Sequence, residues 1–153
     1  MQAEGLTLTK NETMNTQAPD IKTLIPQADP FVMVGEVVEV AGKGIVTSTL
    51  IGADNLLVHE GRFTAYGLLE NIAQSAAALS GYEAMSRQAP VRRGFIGAVK
   101  NFKVGALPLV GSRIETHVAV VDKVFNVDII RGEVLQNGQS LAECEMKIFL
   151  EED

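Results

Sequence analysis

Cysteine is almost missing from this chain: Cys144 stands alone among 153 residues. One thiol cannot close an internal disulfide, so a reducing cytoplasm is the expected location. No run of about 18 uncharged apolar residues occurs, which leaves no candidate for a membrane-spanning helix. The opening MQAEGLTLTKNETMNTQAPD lacks the basic start and apolar stretch of a signal peptide, so none is expected. Basic residues are outnumbered 13 to 19, for a net charge of −6. General nucleic-acid binding works by neutralising phosphates and is not expected from such a balance. An acidic carrier protein stays possible as a partner, because local patches matter more than the total. There is no phosphate loop, no glycine-rich dinucleotide turn and no Cys/His cluster with metal spacing, so neither metal nor cofactor is expected. Ser75 and Ser80 lie outside any Gly-x-Ser-x-Gly elbow.

Apolar residues make up 46% and charged residues 21%, the balance of a folded soluble chain rather than a disordered or membrane one. The length suits one domain with a real core. Residues 1–19 are polar and without period and read as a disordered tail, leaving 20–153 as a single domain. After an irregular lead-in with Pro26 and Pro30, FVMVGEVVEV (31–40) and GIVTSTLI (44–51) read as strands joined by a turn at 41–44. Residues 52–62 read as loop. From about Thr64 to Arg87 there is no proline and one strong helical signal. Four strand-like runs follow, at 93–104, 112–122, 125–135 and 139–150, with turn signals at Leu107-Pro108, Asp122-Lys123 and Asn137-Gly138. The last run alternates: Ala142, Cys144, Met146, Ile148 and Leu150 share one face, Glu143, Glu145 and Lys147 the other. That pattern predicts an antiparallel sheet buried on one side. Only one long helix is available to cover it, so the expected architecture is α+β, a curved sheet laid around a central helix.

The helix composition agrees. Ala73, Ala76, Ala77, Ala78, Ser80 and Gly81 permit close approach, and Leu68, Leu69, Ile72 and Leu79 spread apolar surface round the axis. Glu70 and Gln74 then share a face, one turn apart. A carboxyl in an apolar cleft has a raised pKa, which suits a general acid near neutral pH. The bland alternative is a Glu at an exposed helix end, sharing a hydrogen bond with Gln74. Two histidines compete as a base. His117, mid-strand, reads as part of a solvated sheet face. His59 lies eleven residues ahead of Glu70 and is either an ordinary surface residue or the base that complements Glu70 across a cleft. Arg87, Arg92, Arg93, Lys100 and Lys103 read as a solvated face that would also suit a pantetheine phosphate or an acidic carrier protein.

Four segments, in order, resemble the 3-hydroxyacyl-[acyl-carrier-protein] dehydratase family. LIPQADPFVMV (24–34) is similar to its opening, where Leu-x-Pro precedes Pro-Phe and a hydrophobic strand. Glu70-Asn71-Ile72-Ala73-Gln74 resembles its helix motif Glu-x-x-Ala-Gln. GFIGAVKNFKVGALPLVGSRIE (94–115) resembles its next two strands, and DIIRGEVLQNGQSLAECEMKIFL its closing hairpin. The resemblance covers residues 21–150 and implies a hotdog fold, paired as a homo- or heterodimer through sheet edges. It implies dehydration of a 3-hydroxyacyl thioester on acyl-carrier protein or CoA to a trans-2-enoyl thioester. A histidine of one subunit takes the C2 proton, the helix Glu of the other assists loss of the C3 hydroxyl, and backbone N–H groups at the helix start polarise the carbonyl. Carried over, this makes Glu70 and His59 catalytic candidates. Gln74, Tyr66, Gly67, Gly97, Ala73 and Ala77 become substrate-binding candidates, the two alanines bordering an acyl tunnel.

One departure stands out. The family pattern has His-Phe-Pro-Gly with its histidine fourteen residues before the Glu, where this chain has Leu56, and Thr64-Ala65 stand near the expected Pro-Gly. The shortened spacing looks more like the dehydratase-like proteins of aryl-polyene and flexirubin pigment clusters. Two other readings of the same fold stay open: an acyl thioesterase, in which the helix carboxylate activates water, and a non-catalytic acyl-binding subunit of a dehydratase heterodimer.

Overall fold

The computed structural model describes residues 18–152. Apart from Ala18 and Pro19, the expected tail over 1–19 lies outside the described residues. A short 3-10 turn over Ile21–Thr23, capped by the Asp20 side chain, opens the described chain. Strands β1 (Glu36–Ala41) and β2 (Gly44–Leu50) form a hairpin, and the small hairpin β3 (Val58–His59) and β4 (Arg62–Phe63) leads into helix α1 (Ala65–Ser86). Four long strands follow: β5 (Gly94–Val104), β6 (Arg113–Val124), β7 (Val127–Gln136) and β8 (Gln139–Leu150). One antiparallel sheet takes six of these strands in the order β1-β2-β6-β7-β8-β5, with α1 on its buried face.

Helix α1 starts where the Thr64 side chain accepts the Gly67 N–H, and it ends at Arg87, shortly before Pro90. Its buried side meets alternating inward residues of the sheet: Ile45, Ile114, Val118, Ile130, Val134, Met146 and Ile148 among them. Gly132 of β7 lies close beneath the helix, since a Cβ there would stand 2.4 Å from the Ile72 side chain. In β8 the expected alternation holds from Ala142 to Leu150; Leu141, just before it, is buried as well.

Four local expectations need correction. Residues 31–35 are not strand: the backbone groups of Phe31 and Met33 bond to side chains of α1 instead of to the backbone of a neighbouring strand. The Met33 N–H donates to Gln74 Oε1 (2.7 Å), while Gln74 Nε2 donates to the Phe31 carbonyl (3.0 Å) and Asn71 Nδ2 to the Met33 carbonyl (2.8 Å). The β6–β7 turn is Phe125-Asn126 rather than Asp122-Lys123, because β6 runs on to Val124, which pairs with Val127. And the segment 52–62, read as loop, holds β3 and the first residue of β4. Between β5 and β6 the turn falls at Leu109–Ser112, where the Ser112 N–H donates to the Leu109 carbonyl, a little after Leu107-Pro108. The turns at 41–44 and 137–138 stand as expected; Gly42 sits at φ 59°, and Asn137 and Gly138 at 52° and 80°, the left-handed pair that a two-residue hairpin needs.

A buried polar network crosses the interface of helix and sheet. Thr47 and Thr116 are cross-strand partners on the inner face of β2 and β6. Thr116 Oγ1 donates to Asn71 Oδ1, Thr47 and Ser75 hydroxyls lie 2.8 Å apart, and Asn71 Nδ2 also reaches Thr49 Oγ1 at 3.1 Å. Thr49 Oγ1 takes the Gly35 N–H as well. All of these side chains are buried. Every member is paired, so the network stabilises; removing one member strands its partners. Asn71→Ala should therefore lower unfolding stability in urea by about 2–4 kcal/mol, since the Met33 carbonyl and Thr116 hydroxyl lose their partner.

Candidate active site

One face of α1 is separated from the sheet by a cavity. Glu70, Ala73, Ala77, Ser80 and Glu83 lie along it at helical spacing and form one wall of a cavity of about 300 Å³. Thirteen residues of helix separate Glu70 from Glu83, roughly 20 Å of rise. The opposite wall is made by Phe95 and Ile96 of β5, Ile130 of β7, and Ile148 and Leu150 of β8. The alanines matter sterically: a longer side chain at 73 or 77 would fill the space against the sheet. Three further polar groups reach the cavity, Gln27, Arg92 and Asp128.

Glu70 is half-buried at one end of this cavity. Its carboxylate is held on both sides by groups one turn away. Tyr66 Oη donates to Oε1 and Gln74 Nε2 donates to Oε2, each at 3.3 Å. Gln74 is itself only 2% exposed and tied to the backbone of residues 31 and 33. Glu70 therefore fits both sequence readings at once: it shares a hydrogen bond with Gln74, and it faces a cleft. The Glu70 charge pushes the Tyr66 phenol above its ordinary pKa, so the phenol stays protonated and remains a donor through the neutral range.

The remaining candidates divide. Ala73 and Ala77 line the cavity beside Glu70. His59 does not: it stands on the β3–β4 hairpin, its side chain 76% exposed, with Nε2 3.6 Å from Glu60 Oε1. Gly67 and Gly97 each pack under an aromatic ring. A Cβ at Gly67 would fall 2.6 Å from the Phe63 ring, and one at Gly97 2.1 Å from the Phe149 ring; neither glycine lines the cavity. The Gly67 N–H is taken by Thr64 Oγ1 at 3.2 Å, so it is not a free donor for a carbonyl. His117 lies on the outer sheet face, 3.2 Å from Glu115, as a solvated residue would. Cys144 is buried in the core and its thiol is pushed up to about 11 by burial, so it is no nucleophile at neutral pH. Arg92 alone of the five basic residues lines the cavity; Arg93 lies 5.7 Å over the Phe95 ring.

Asn71 was the residue that pattern reading passed over. Its signal is present in the sequence as polar residues at inward positions of β2 and β6, where apolar ones would be expected: Thr47, Thr49 and Thr116. They make sense only once a polar partner on the helix is known to face them.

Similarity to known proteins narrows the chemistry this site can belong to. Among curated proteins, the chain is 25% identical over 156 residues to a 3-hydroxyacyl-[acyl-carrier-protein] dehydratase FabZ of Methylobacterium sp. (strain 4-46), covering 95% of this chain and 92% of that one. It is 26% identical over 137 residues to the FabZ of Rhizobium leguminosarum bv. trifolii (strain WSM2304), covering 83% and 84%. Among solved structures, the dehydratase heterocomplex ApeI:P from Xenorhabdus doucetiae superposes with a TM-score of 0.84 at 14% identity, over 90% of this chain and 94% of that one. A hypothetical thioesterase of Streptococcus pneumoniae TIGR4, solved with coenzyme A, gives a TM-score of 0.59 at 9% identity, over 76% and 84%. These two likenesses establish the hotdog fold, a curved antiparallel sheet around one long helix, and the first is much the tighter. The family described as ApeP-like, ApeP dehydratase, matches residues 19–153. With Glu70 and Gln74 set on the helix beside an alanine-lined cavity, and nearly the whole chain matched, this protein belongs to the ApeP-like dehydratase family.

Proposed function

We propose that this protein removes water from 3-hydroxyacyl thioesters to give trans-2-enoyl thioesters, with Glu70 assisting departure of the C3 hydroxyl. The single observation that carries the reading is the position of Glu70, on a helix, clamped by two donors, at one end of a cavity walled by small and apolar residues. Such a carboxyl meets the acyl chain side-on, where a C3 hydroxyl would sit if the tail runs along Ala73 and Ala77. Loss of the C2 proton and of hydroxide leaves a double bond between C2 and C3, and the departing oxygen leaves as water once protonated. The substrate is carried on acyl-carrier protein or on CoA.

A second subunit completes the site in this proposal. Strand β5 is an 11-residue strand at the edge of the sheet, and it exposes Phe95, Ile96, Val99 and Val104. A long apolar edge of this kind is a template for pairing with another chain. Edge-to-edge pairing through β5 would bring the β3–β4 hairpin of one subunit toward the other, and His59 is taken as the base supplied across that interface. A homodimer and a heterodimer bury the same edge.

Three measurements test these assignments. Mass spectrometry of a 3-hydroxyacyl-carrier substrate should show loss of 18 mass units (about one water) with wild type, and Glu70→Gln should lower the rate by at least about 100-fold. Release of free thiol instead would sink the dehydratase reading in favour of a thioesterase. Subunits carrying His59→Ala and Glu70→Gln, co-purified as a mixed dimer, hold one intact composite site and should recover about half of wild-type activity. Failure of the mixed dimer to exceed either parent would remove His59 from the active site. Ala77→Phe should shift preference toward shorter acyl chains while the fold is kept; an unchanged chain-length profile would displace the acyl group from this face of α1.

A further inference from the structure

We propose that Tyr66 is a positioning residue for Glu70, its phenol holding one carboxylate oxygen while Gln74 holds the other. The inference rests on the reading of Glu70 as the reacting carboxylate and adds a role that the family motif does not contain, since Tyr66 lies ahead of Glu-x-x-Ala-Gln.

Tyr66, Glu70 and Gln74 stand at i−4, i and i+4 on one face of α1, so each neighbour reaches a different oxygen of the same carboxylate. The two restraints differ in origin. Gln74 is buried and locked by Phe31 and Met33, so its hold on Oε2 is set by the tertiary fold. Among the described residues, Oε1 has only Tyr66 as a hydrogen-bond partner. Without the phenol, one hydrogen bond from Gln74 is left to restrain the carboxylate about its terminal torsion, which is broad and soft for Glu. A reacting group must be held to within about 0.5 Å, and small misplacements cost large factors in rate.

Tyr66 has no evident packing duty that would explain it otherwise. It is 57% exposed, unlike the next residue Gly67, which packs beneath Phe63. A large aromatic stands largely in solvent at the first turn of the helix, and its hydroxyl meets the Glu70 carboxylate at the head of the cavity. The other charged groups lining that cavity are Glu83 on α1, Arg92 ahead of β5 and Asp128 of β7; none of them is hydrogen-bonded to Glu70 among the described residues.

Tyr66→Phe removes one oxygen and keeps the ring, which makes it the informative variant. In the full-length dimer, kcat for water loss should fall about tenfold, with KM and unfolding temperature essentially unchanged, as expected when a hydrogen bond to a charged group is lost. A readout free of substrate accompanies it: the order of the Glu70 side chain, followed by NMR relaxation on 13C-labelled glutamate, should fall in Tyr66→Phe, because one of its two oxygens loses its donor. Unchanged order together with unchanged kcat overturns the proposal. If wild type releases no water from any 3-hydroxyacyl carrier, the dehydratase reading fails by itself, and the relaxation measurement still decides for or against Tyr66: lost order supports the clamp and unchanged order overturns it.

Discussion

The structure depends on how α1 is held in rotation inside its sheet. A helix that is small or apolar on nearly every side has little to stop it turning about its axis, because dispersion contacts are not directional. Hydrogen bonds are. Asn71 and Gln74 each reach out of the helix and bind backbone of the segment 31–33, and Asn71 and Ser75 bind inward threonines of β2 and β6. Each of these buried groups would cost about 1–3 kcal/mol if left unpaired, so a turned helix is penalised several times over. The polar network therefore specifies one rotation where the apolar core would tolerate several.

Everything at the candidate site follows from that rotation. With Asn71 facing β2 and β6, Glu70 must face about 100° away, toward the cavity between helix and sheet. Ala73 and Ala77 lie on the same side, and their small side chains create the space that Leu at either position would fill. Gln74 links the two functions, since one amide fastens the lead-in segment to the helix and steadies Glu70 as well. Loss of this residue would disturb fold and site together, whereas Tyr66 touches the site alone.

Much of this arrangement was legible in the residues. Strand alternation in 139–150 predicts the buried face of β8 one residue at a time, and the proline-free run from Thr64 to Arg87 gives α1 to within a residue at each end. Glu70, Ala73 and Ala77 are recognisable because a carboxyl and small residues on an otherwise apolar helix are anomalous. Residues 31–35 were misleading for a definite reason: Phe-Val-Met-Val has the composition of a strand, but its hydrogen bonds go to side chains forty residues away, which no local pattern records. The rings over Gly67 and Gly97 were not legible either, since an aromatic ring over a glycine and a ligand over a glycine leave the same mark in a sequence.

The sequence by itself determined the helix and the six strands of the main sheet, which face of β8 is buried, and that Glu70 would lie on the central helix. Those properties follow from periodicity, propensity and the cost of burying charge, all of which act over a few residues. Tertiary structure alone decided that Asn71 and three threonines would meet, that Glu70 would be gripped from both sides while facing the cavity, and that His59 would stand apart from it in the single chain. Such facts depend on the relative placement of segments distant in the chain, which is set by the packing of α1 against β2, β6 and β7 rather than by any neighbouring residue.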